Sequence, residues 1–127
     1  MPGKKVLIAD DEIHIVQVVS IKLRNNGFDV LTADNGQTAY QLACDEEPDL
    51  IVTDYQMPEM SGIELIESIR KNPDIADTPI VMLTARGFAI DEKQKEELKI
   101  SACLSKPFSP RELLQSVTEI ITQRASA

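Results

Sequence analysis

The sequence contains no long hydrophobic run, only two cysteines and no excess of basic residues, and each absence excludes a class of protein. No stretch approaches the roughly 20 apolar residues of a membrane-spanning helix, and the first apolar run ends at Asp10, too early for a signal peptide. Cys44 and Cys103 are isolated, which argues against a disulfide framework or a zinc site. A net charge of −8 without a basic patch argues against nucleic-acid binding. We therefore expect a soluble, cytoplasmic protein that contacts neither membranes nor nucleic acid directly.

What is present is the composition of an ordinary globular domain. Apolar residues make up 43% of the 127 residues and charged residues 27%. A chain of this length buries most of its unfolded surface and folds without disulfides or a structural metal. We expect one domain that covers residues 1–127, with no linker and no repeat.

Short apolar runs alternate with longer amphipathic segments, a pattern that predicts βα units and a parallel sheet. The predicted strands are residues 4–9, 28–32, 49–53, 79–83 and 102–105. The predicted helices are residues 12–25, 36–46, 62–71, 88–99 and 110–124. Capping boxes that start at Ser61 and Ser109 mark the beginnings of the third and fifth helices. The fold class is therefore α/β.

Polar residues follow the predicted strands at the edge where an open parallel sheet binds its ligands. Asp10 and Asp11 follow the first strand, Asp54 the third, Thr84 the fourth and Lys106 the fifth. Carboxylates this close repel one another, so unless one is protonated they need a hard cation such as Mg²⁺. A metal and a lysine together offset the charge of a phosphoryl group. The pattern predicts a site for phosphoryl chemistry.

Four segments at these strand ends carry a resemblance to a known family. They are Asp10-Asp11, the segment from Asp54 to Gly62, Thr84-Ala85 and the segment from Lys106 to Phe108. With all four in this order, essentially the whole chain resembles the receiver domains of two-component response regulators. The resemblance implies a flavodoxin-like (βα)5 fold of three layers, with a parallel five-stranded sheet in the order 2-1-3-4-5.

The resemblance also implies a phosphoacceptor and a metal site. Asp54 would receive a phosphoryl group from the phosphohistidine of a sensor kinase or a phosphotransfer protein. Asp11 would bind Mg²⁺ or Mn²⁺ directly, and Asp10 would contribute mainly through water. Asp54 and the backbone carbonyl of Gln56 would supply further oxygen ligands.

Four other positions acquire roles from the same resemblance. Lys106 would pair with the carboxylate and then with the phosphoryl group, aimed by a cis peptide bond to Pro107. Thr84 would turn its hydroxyl onto a phosphoryl oxygen. Gln56 and Arg86, each two residues past a site residue, would tune the lifetime of the phosphoryl group.

The sequence departs from the family pattern at two places. Cys103 stands three residues before Lys106, where the family commonly has Tyr or Phe. An aromatic ring there moves together with Thr84 and carries the switch to the surface, and a thiol cannot sweep the same volume. In addition, the segment Leu98–Ser101 replaces the Gly-Ala that often ends the fourth helix, so we expect that turn to be built differently.

The expected function is a switch rather than an enzyme, because the chain would catalyse only its own phosphorylation and dephosphorylation. Helix four, strand five and helix five would bind an output partner or form a homodimer. Three alternatives remain. The first is an aspartyl-nucleophile phosphohydrolase, which requires an acid at the position that Gln56 occupies, and the second is a flavodoxin-like cofactor binder, which requires a phosphate-cradling loop that is missing after the first strand. The third is a phosphorylation-independent interaction module. Whether the chain stands alone or is cut from a longer protein stays open.

Overall fold

The structure, a computed structural model, describes residues 3–57, 60–85 and 91–126. Within these residues five strands alternate with five helices. The strands are β1 (Lys5–Ala9), β2 (Asp29–Ala33), β3 (Leu50–Asp54), β4 (Ile80–Thr84) and β5 (Ile100–Ser105). The helices are α1 (Ile13–Asn25), α2 (Gly36–Glu46), α3 (Gly62–Lys71), α4 (Glu92–Glu97) and α5 (Pro110–Ser126). No helix in the described ranges is long and apolar enough to cross a membrane.

All neighbouring strands pair in parallel, in the order β2-β1-β3-β4-β5. This confirms the predicted α/β fold with its flavodoxin-like strand order. The central strands β3 and β4 are buried at every residue, because helices cover both faces of the sheet. The edge strand β2 mixes exposed and buried positions, as its mixed sequence indicates.

Two hydrophobic cores lie on opposite faces of the sheet and make the molecule three-layered. On one face, Leu7 and Ile51 of the sheet belong to the same buried cluster as Leu65 of α3. On the other, Ile8 belongs to a cluster with Val117 of α5 and with residues of α1. The alternation of side chains along each strand therefore supplies both cores, and the polar residues are left at the strand ends.

The start of α3 lies closely against the end of the strand that carries Asp54. Ser61 and Glu64 form the predicted capping box at the start of α3. The backbone N–H of Gly62 donates to the carbonyl of Tyr55 at 2.9 Å. A Cβ atom at Gly62 would overlap the backbone carbonyl oxygen of Asp54, so only glycine permits this approach. The start of α3 therefore packs directly on the backbone of Asp54 and Tyr55, and the sheet holds Asp54 from the other side of the chain through the pairing of β3.

The turn between α4 and β5 differs from the prediction in its boundaries. The sequence predicts a helix at residues 88–99 and a strand at residues 102–105. In the structure, the helix ends at Glu97 and the strand begins at Ile100. Residues 88–90 lie outside the described ranges. The earlier helix end has a physical cause, because Lys99 adopts a left-handed conformation with φ of 55°. A lysine therefore occupies a backbone conformation that favours glycine. The expectation that this turn is built differently from that of the family stays a prediction.

Arg70 of α3 ties this turn to its neighbours. Its guanidinium group donates hydrogen bonds to four backbone carbonyl oxygens at 2.7 to 3.1 Å. The acceptors are Ala76, Thr78, Leu98 and Lys99. The end of α4 is consequently fastened to α3, the helix that begins beside Asp54.

Candidate functional site

The carboxyl ends of the parallel strands bring three of the predicted site residues into contact. Asp10 follows β1, Asp54 ends β3 and Lys106 follows β5. The Lys106 ammonium lies 3.0 Å from Oδ2 of Asp10 and 3.4 Å from Oδ2 of Asp54. The two aspartate side chains are 0% and 11% exposed, so the lysine neutralises carboxylates that have little access to water. The Lys106–Pro107 peptide bond is cis, as the resemblance implied.

Glu12 also belongs to this cluster, and the sequence interpretation missed it. Its Oε1 accepts a hydrogen bond from Lys106 at 2.6 Å, the shortest of the three contacts of that ammonium. Carboxylate oxygens of Asp10, Glu12 and Asp54 all lie within 4.8 Å of one another. In the sequence, Glu12 is the third consecutive acid after β1, and this was the only indication that it could belong to the site. Its contact with Lys106 joins residues 94 positions apart, which sequence spacing alone does not reveal.

Asp11 lies at the edge of the same site. It is exposed and lines a cavity of about 300 Å³ together with Asp54, Gln56 and Lys106. Within the described ranges, the three-carboxylate cluster includes Glu12 and not Asp11. The assignment of Asp11 as a direct metal ligand therefore stays a prediction.

Burial and mutual repulsion make the two inner carboxyl groups weaker acids. Burial raises the pKa of Asp54 to about 6, the charge of Asp10 acts in the same direction, and Lys106 opposes both. Burial likewise raises the pKa of Asp10, against the backbone N–H of Glu12 and the Lys106 ammonium. For Lys106, burial lowers the pKa, but its bonds to Glu12 and Asp10 and the nearby charges outweigh burial and raise it. The lysine therefore stays charged at neutral pH.

The cluster has the donor set that a hard divalent cation requires. Three carboxylates face one ammonium, which leaves an excess of negative charge when all are ionised. The buried Oδ2 of Asp10 lies 3.0 Å from the Lys106 ammonium, so the Asp10 carboxylate is directed into the site. Carboxylate oxygens that have little access to water and carry excess negative charge are stabilised by a hard cation. These residues therefore fit Mg²⁺ or Mn²⁺.

The remaining predicted residues surround this centre. The Thr84 hydroxyl, buried at the end of β4, donates to the carbonyl of Leu104 at the long distance of 3.5 Å. Cys103 is partly buried and packs against the same core as α3, and burial raises the pKa of its thiol. Gln56 is exposed and lines the cavity beside Asp54, whereas Arg86 lies outside the described residues.

Comparisons with known proteins agree with this geometry. The family model for the response regulator receiver domain matches residues 6–118. The phosphate regulon transcriptional regulatory protein PhoB of Pseudomonas aeruginosa is 38% identical over 121 residues, which are 95% of this chain and 53% of that protein. The CpxR homolog of Haemophilus influenzae, a transcriptional regulatory protein, is 41% identical over 96% of this chain and 52% of its own length. The chain thus spans about half the length of these curated relatives.

Solved structures give the same result for the fold. The chemotaxis response regulator CheY4 of Vibrio cholerae superposes with a TM-score of 0.85 at 34% identity, covering 92% of this chain and 98% of that one. The receiver domain of the Francisella response regulator 1452 gives a TM-score of 0.86 at 32% identity, with 95% and 98% covered. The fold and the acidic edge with its lysine define an α/β signalling domain. The chain belongs to the response regulator receiver domain family of two-component systems.

Proposed function

We propose that Asp54 accepts a phosphoryl group from the phosphohistidine of a sensor kinase or a phosphotransfer protein, in a reaction that depends on Mg²⁺. The observation that supports this most strongly is the convergence at one sheet edge of the Asp54 carboxylate, the Lys106 ammonium and the carboxylates of Asp10 and Glu12. Phosphoryl transfer to a carboxylate needs a nucleophilic oxygen, a permanent positive charge and a group of residues that can bind a metal ion.

In the proposed step, an oxygen of the Asp54 carboxylate forms a bond to phosphorus as the bond from phosphorus to the imidazole nitrogen breaks. The imidazole leaves with the electron pair of that bond. Lys106 offsets charge on the phosphoryl oxygens and is compact enough to follow them. When bound, the metal, which Asp10, Asp11, Asp54 and the carbonyl of Gln56 would hold, neutralises further charge on the same oxygens.

Thr84 connects this chemistry to the surface. Its long hydrogen bond to Leu104 is weak, so the hydroxyl can exchange that acceptor for a phosphoryl oxygen. The exchange would favour one of two arrangements of α4, β5 and α5, which we propose as the surface that binds an output partner or a second copy. Cys103 lies beside this route on β5, so the coupling would depend on a small side chain rather than a rotating ring.

Helix α1 supplies the surface on which we propose that the phosphodonor protein docks. Ile13, Val18 and Ile21 expose 64%, 51% and 59% of their surfaces, and they are the large hydrophobic residues most exposed among those described. A groove of about 570 Å³ runs from this helix to Phe108 and includes Glu12 and Lys106 of the site. A protein that presents a phosphohistidine to Asp54 must cover this groove, and burial of the apolar side chains on α1 would stabilise the complex.

A single adduct experiment tests the proposed function. The full chain is incubated with Mg²⁺ and phosphoramidate, and its intact mass is measured. We expect one acid-stable, base-labile phosphoryl adduct in the wild type and in Asp29→Asn, an exposed aspartate remote from the site. The adduct should be absent in Asp54→Asn. Sustained hydrolysis of phosphomonoesters would instead indicate a phosphohydrolase, and a folded wild type without any adduct would indicate an interaction module.

A further inference from the structure

We infer that Glu12 is a positioning residue that holds Lys106 toward the mouth of the site and so slows phosphorylation of Asp54. The inference rests on the proposed function and concerns the regulation of the same site. Of the three carboxylates around Lys106, Glu12 is the closest, at 2.6 Å, and Asp54 the most distant, at 3.4 Å. The ammonium is therefore engaged chiefly by a residue that is not the phosphoacceptor.

The position of Glu12 in the fold explains its hold on the lysine. Its side chain is 58% exposed, whereas that of Asp54 is 11% exposed, so the bond to Glu12 draws the ammonium outward. The backbone N–H of Glu12 donates to Oδ1 of Asp10 at 2.9 Å, which fixes the point from which the glutamate extends. Lys106 also contacts Asp10, so the carboxylates of Asp10 and Glu12 both hold its ammonium.

This arrangement favours the unphosphorylated state. When a phosphoryl group forms on Asp54, Lys106 must turn toward it and give up part of its bond to Glu12. The glutamate also places a negative charge at the entrance through which an anionic donor comes. An interaction stronger in one state than in the other shifts the equilibrium by that difference. Glu12 thus acts through Lys106 as a restraint that phosphorylation has to overcome.

The test compares wild type with Glu12→Gln, which keeps the shape and removes the charge. At saturating Mg²⁺ we expect Glu12→Gln to react with phosphoramidate roughly two- to fivefold faster, the factor that corresponds to a partly exposed ion pair. Beryllofluoride, a phosphoryl mimic, should bind the variant more tightly by a similar factor. Glu67→Gln, which removes the same charge from an exposed position on α3, should match the wild type in both measurements.

Mg²⁺ affinity, followed by the fluorescence of Tyr55 beside the site, separates positioning from metal binding. We expect Glu12→Gln to weaken Mg²⁺ binding by less than about twofold, because the Glu12 carboxylate is exposed and already paired with Lys106, whereas Asp10 and Asp54 are buried. A variant that binds Mg²⁺ more weakly and reacts more slowly would make Glu12 a metal ligand and overturn the inference, as would an unchanged rate. The side chain of Glu12 makes no capping hydrogen bond to α1, so its replacement leaves the helix start intact. If the wild type itself forms no adduct, the proposed function fails; if only the rate difference is missing, this inference alone fails.

Discussion

At the scale of single residues, the site is a competition among carboxylates for one ammonium. Lys106 contacts Asp10, Glu12 and Asp54, and each contact is close enough to matter electrostatically. The buried pair, Asp10 and Asp54, has raised pKa values because burial penalises the charged form. Glu12 is exposed and makes the shortest of the three contacts with the Lys106 ammonium, at 2.6 Å. The chemistry of Asp54 therefore depends on where the lysine is held.

The raised pKa of Asp54 predicts how pH changes the stability of the metal-free protein. A carboxyl group with a pKa of about 6 when folded and 3.8 when unfolded stabilises the fold fully below 3.8 and loses that contribution as pH rises through 6. Asp54→Asn has no such loss. We expect the free energy of unfolding gained by this substitution to grow by up to roughly 2 kcal/mol between pH 4.5 and 7.5.

Urea unfolding of both proteins in EDTA at several pH values measures this difference. The same titration of Asp29→Asn should give a difference that is nearly independent of pH. A constant difference for Asp54→Asn as well would show that the carboxyl group does not titrate in this range.

At the scale of helices and strands, we expect substitutions on α1 to distinguish two proposed routes of phosphorylation, one from a donor protein and one from a small phosphodonor. Val18 lies on the proposed docking face, where it lines the groove and is 51% exposed, and it is not among the residues that line the cavity beside Asp54. We expect Val18→Glu to slow transfer from a phosphorylated histidine phosphotransfer protein by roughly tenfold or more, because a buried charge at an apolar contact is costly. The rate with phosphoramidate should stay within about a factor of two, since that small donor needs no docking face.

The matched control for this prediction is Gln37→Glu, which adds the same charge to an exposed position on α2. It should leave both rates unchanged. Equal slowing of both donors by Val18→Glu would show that the substitution damages the site, and undiminished transfer from the protein donor would place docking elsewhere.

The turn after α4 contains a conformational cost that a glycine would remove. Lys99 has φ of 55°, and its carbonyl accepts a hydrogen bond from Arg70 that any residue at this position retains. We expect Lys99→Gly to raise the free energy of unfolding by roughly 0.5 to 1 kcal/mol. Glycine removes the steric cost of a left-handed backbone, but part of this gain is offset because glycine loses more conformational entropy on folding. Lys95→Gly, inside α4, should lower it by about 1 kcal/mol. Chemical denaturation measures both, and a destabilised Lys99→Gly would contradict this explanation of the turn.

At the scale of the whole molecule, the sequence predicts the sheet better than it predicts the site. The apolar runs before Asp54 and Thr84 are unbroken because both strands are buried on two faces, so their place in a parallel sheet can be predicted directly. Strand ends then bring Asp10, Asp54 and Lys106 together. The part played by Glu12 could not be predicted in this way, because it depends on the direction of one side chain at the start of α1.

The boundaries of α4 and β5 show a second limit. The predicted helix 88–99 includes the alternating charges from Asp91 to Lys99. In the structure, the helix ends at Glu97, Lys99 has a left-handed backbone, and β5 begins at Ile100. Arg70 donates to four carbonyl oxygens around this turn. Two of them, those of Leu98 and Lys99, are 28 and 29 residues away along the chain. A tertiary contact of this kind overrides the local pattern.

The location of the phosphoryl group is the most direct test of the account. The chain is treated with phosphoramidate in Mg²⁺ or in EDTA, reduced with borohydride, which converts an aspartyl phosphate to homoserine, and mapped by mass spectrometry of its peptides. The account predicts homoserine at position 54 alone, in the sample that contains Mg²⁺. Homoserine at another position, equal labelling in EDTA, or no conversion in a folded chain would contradict it.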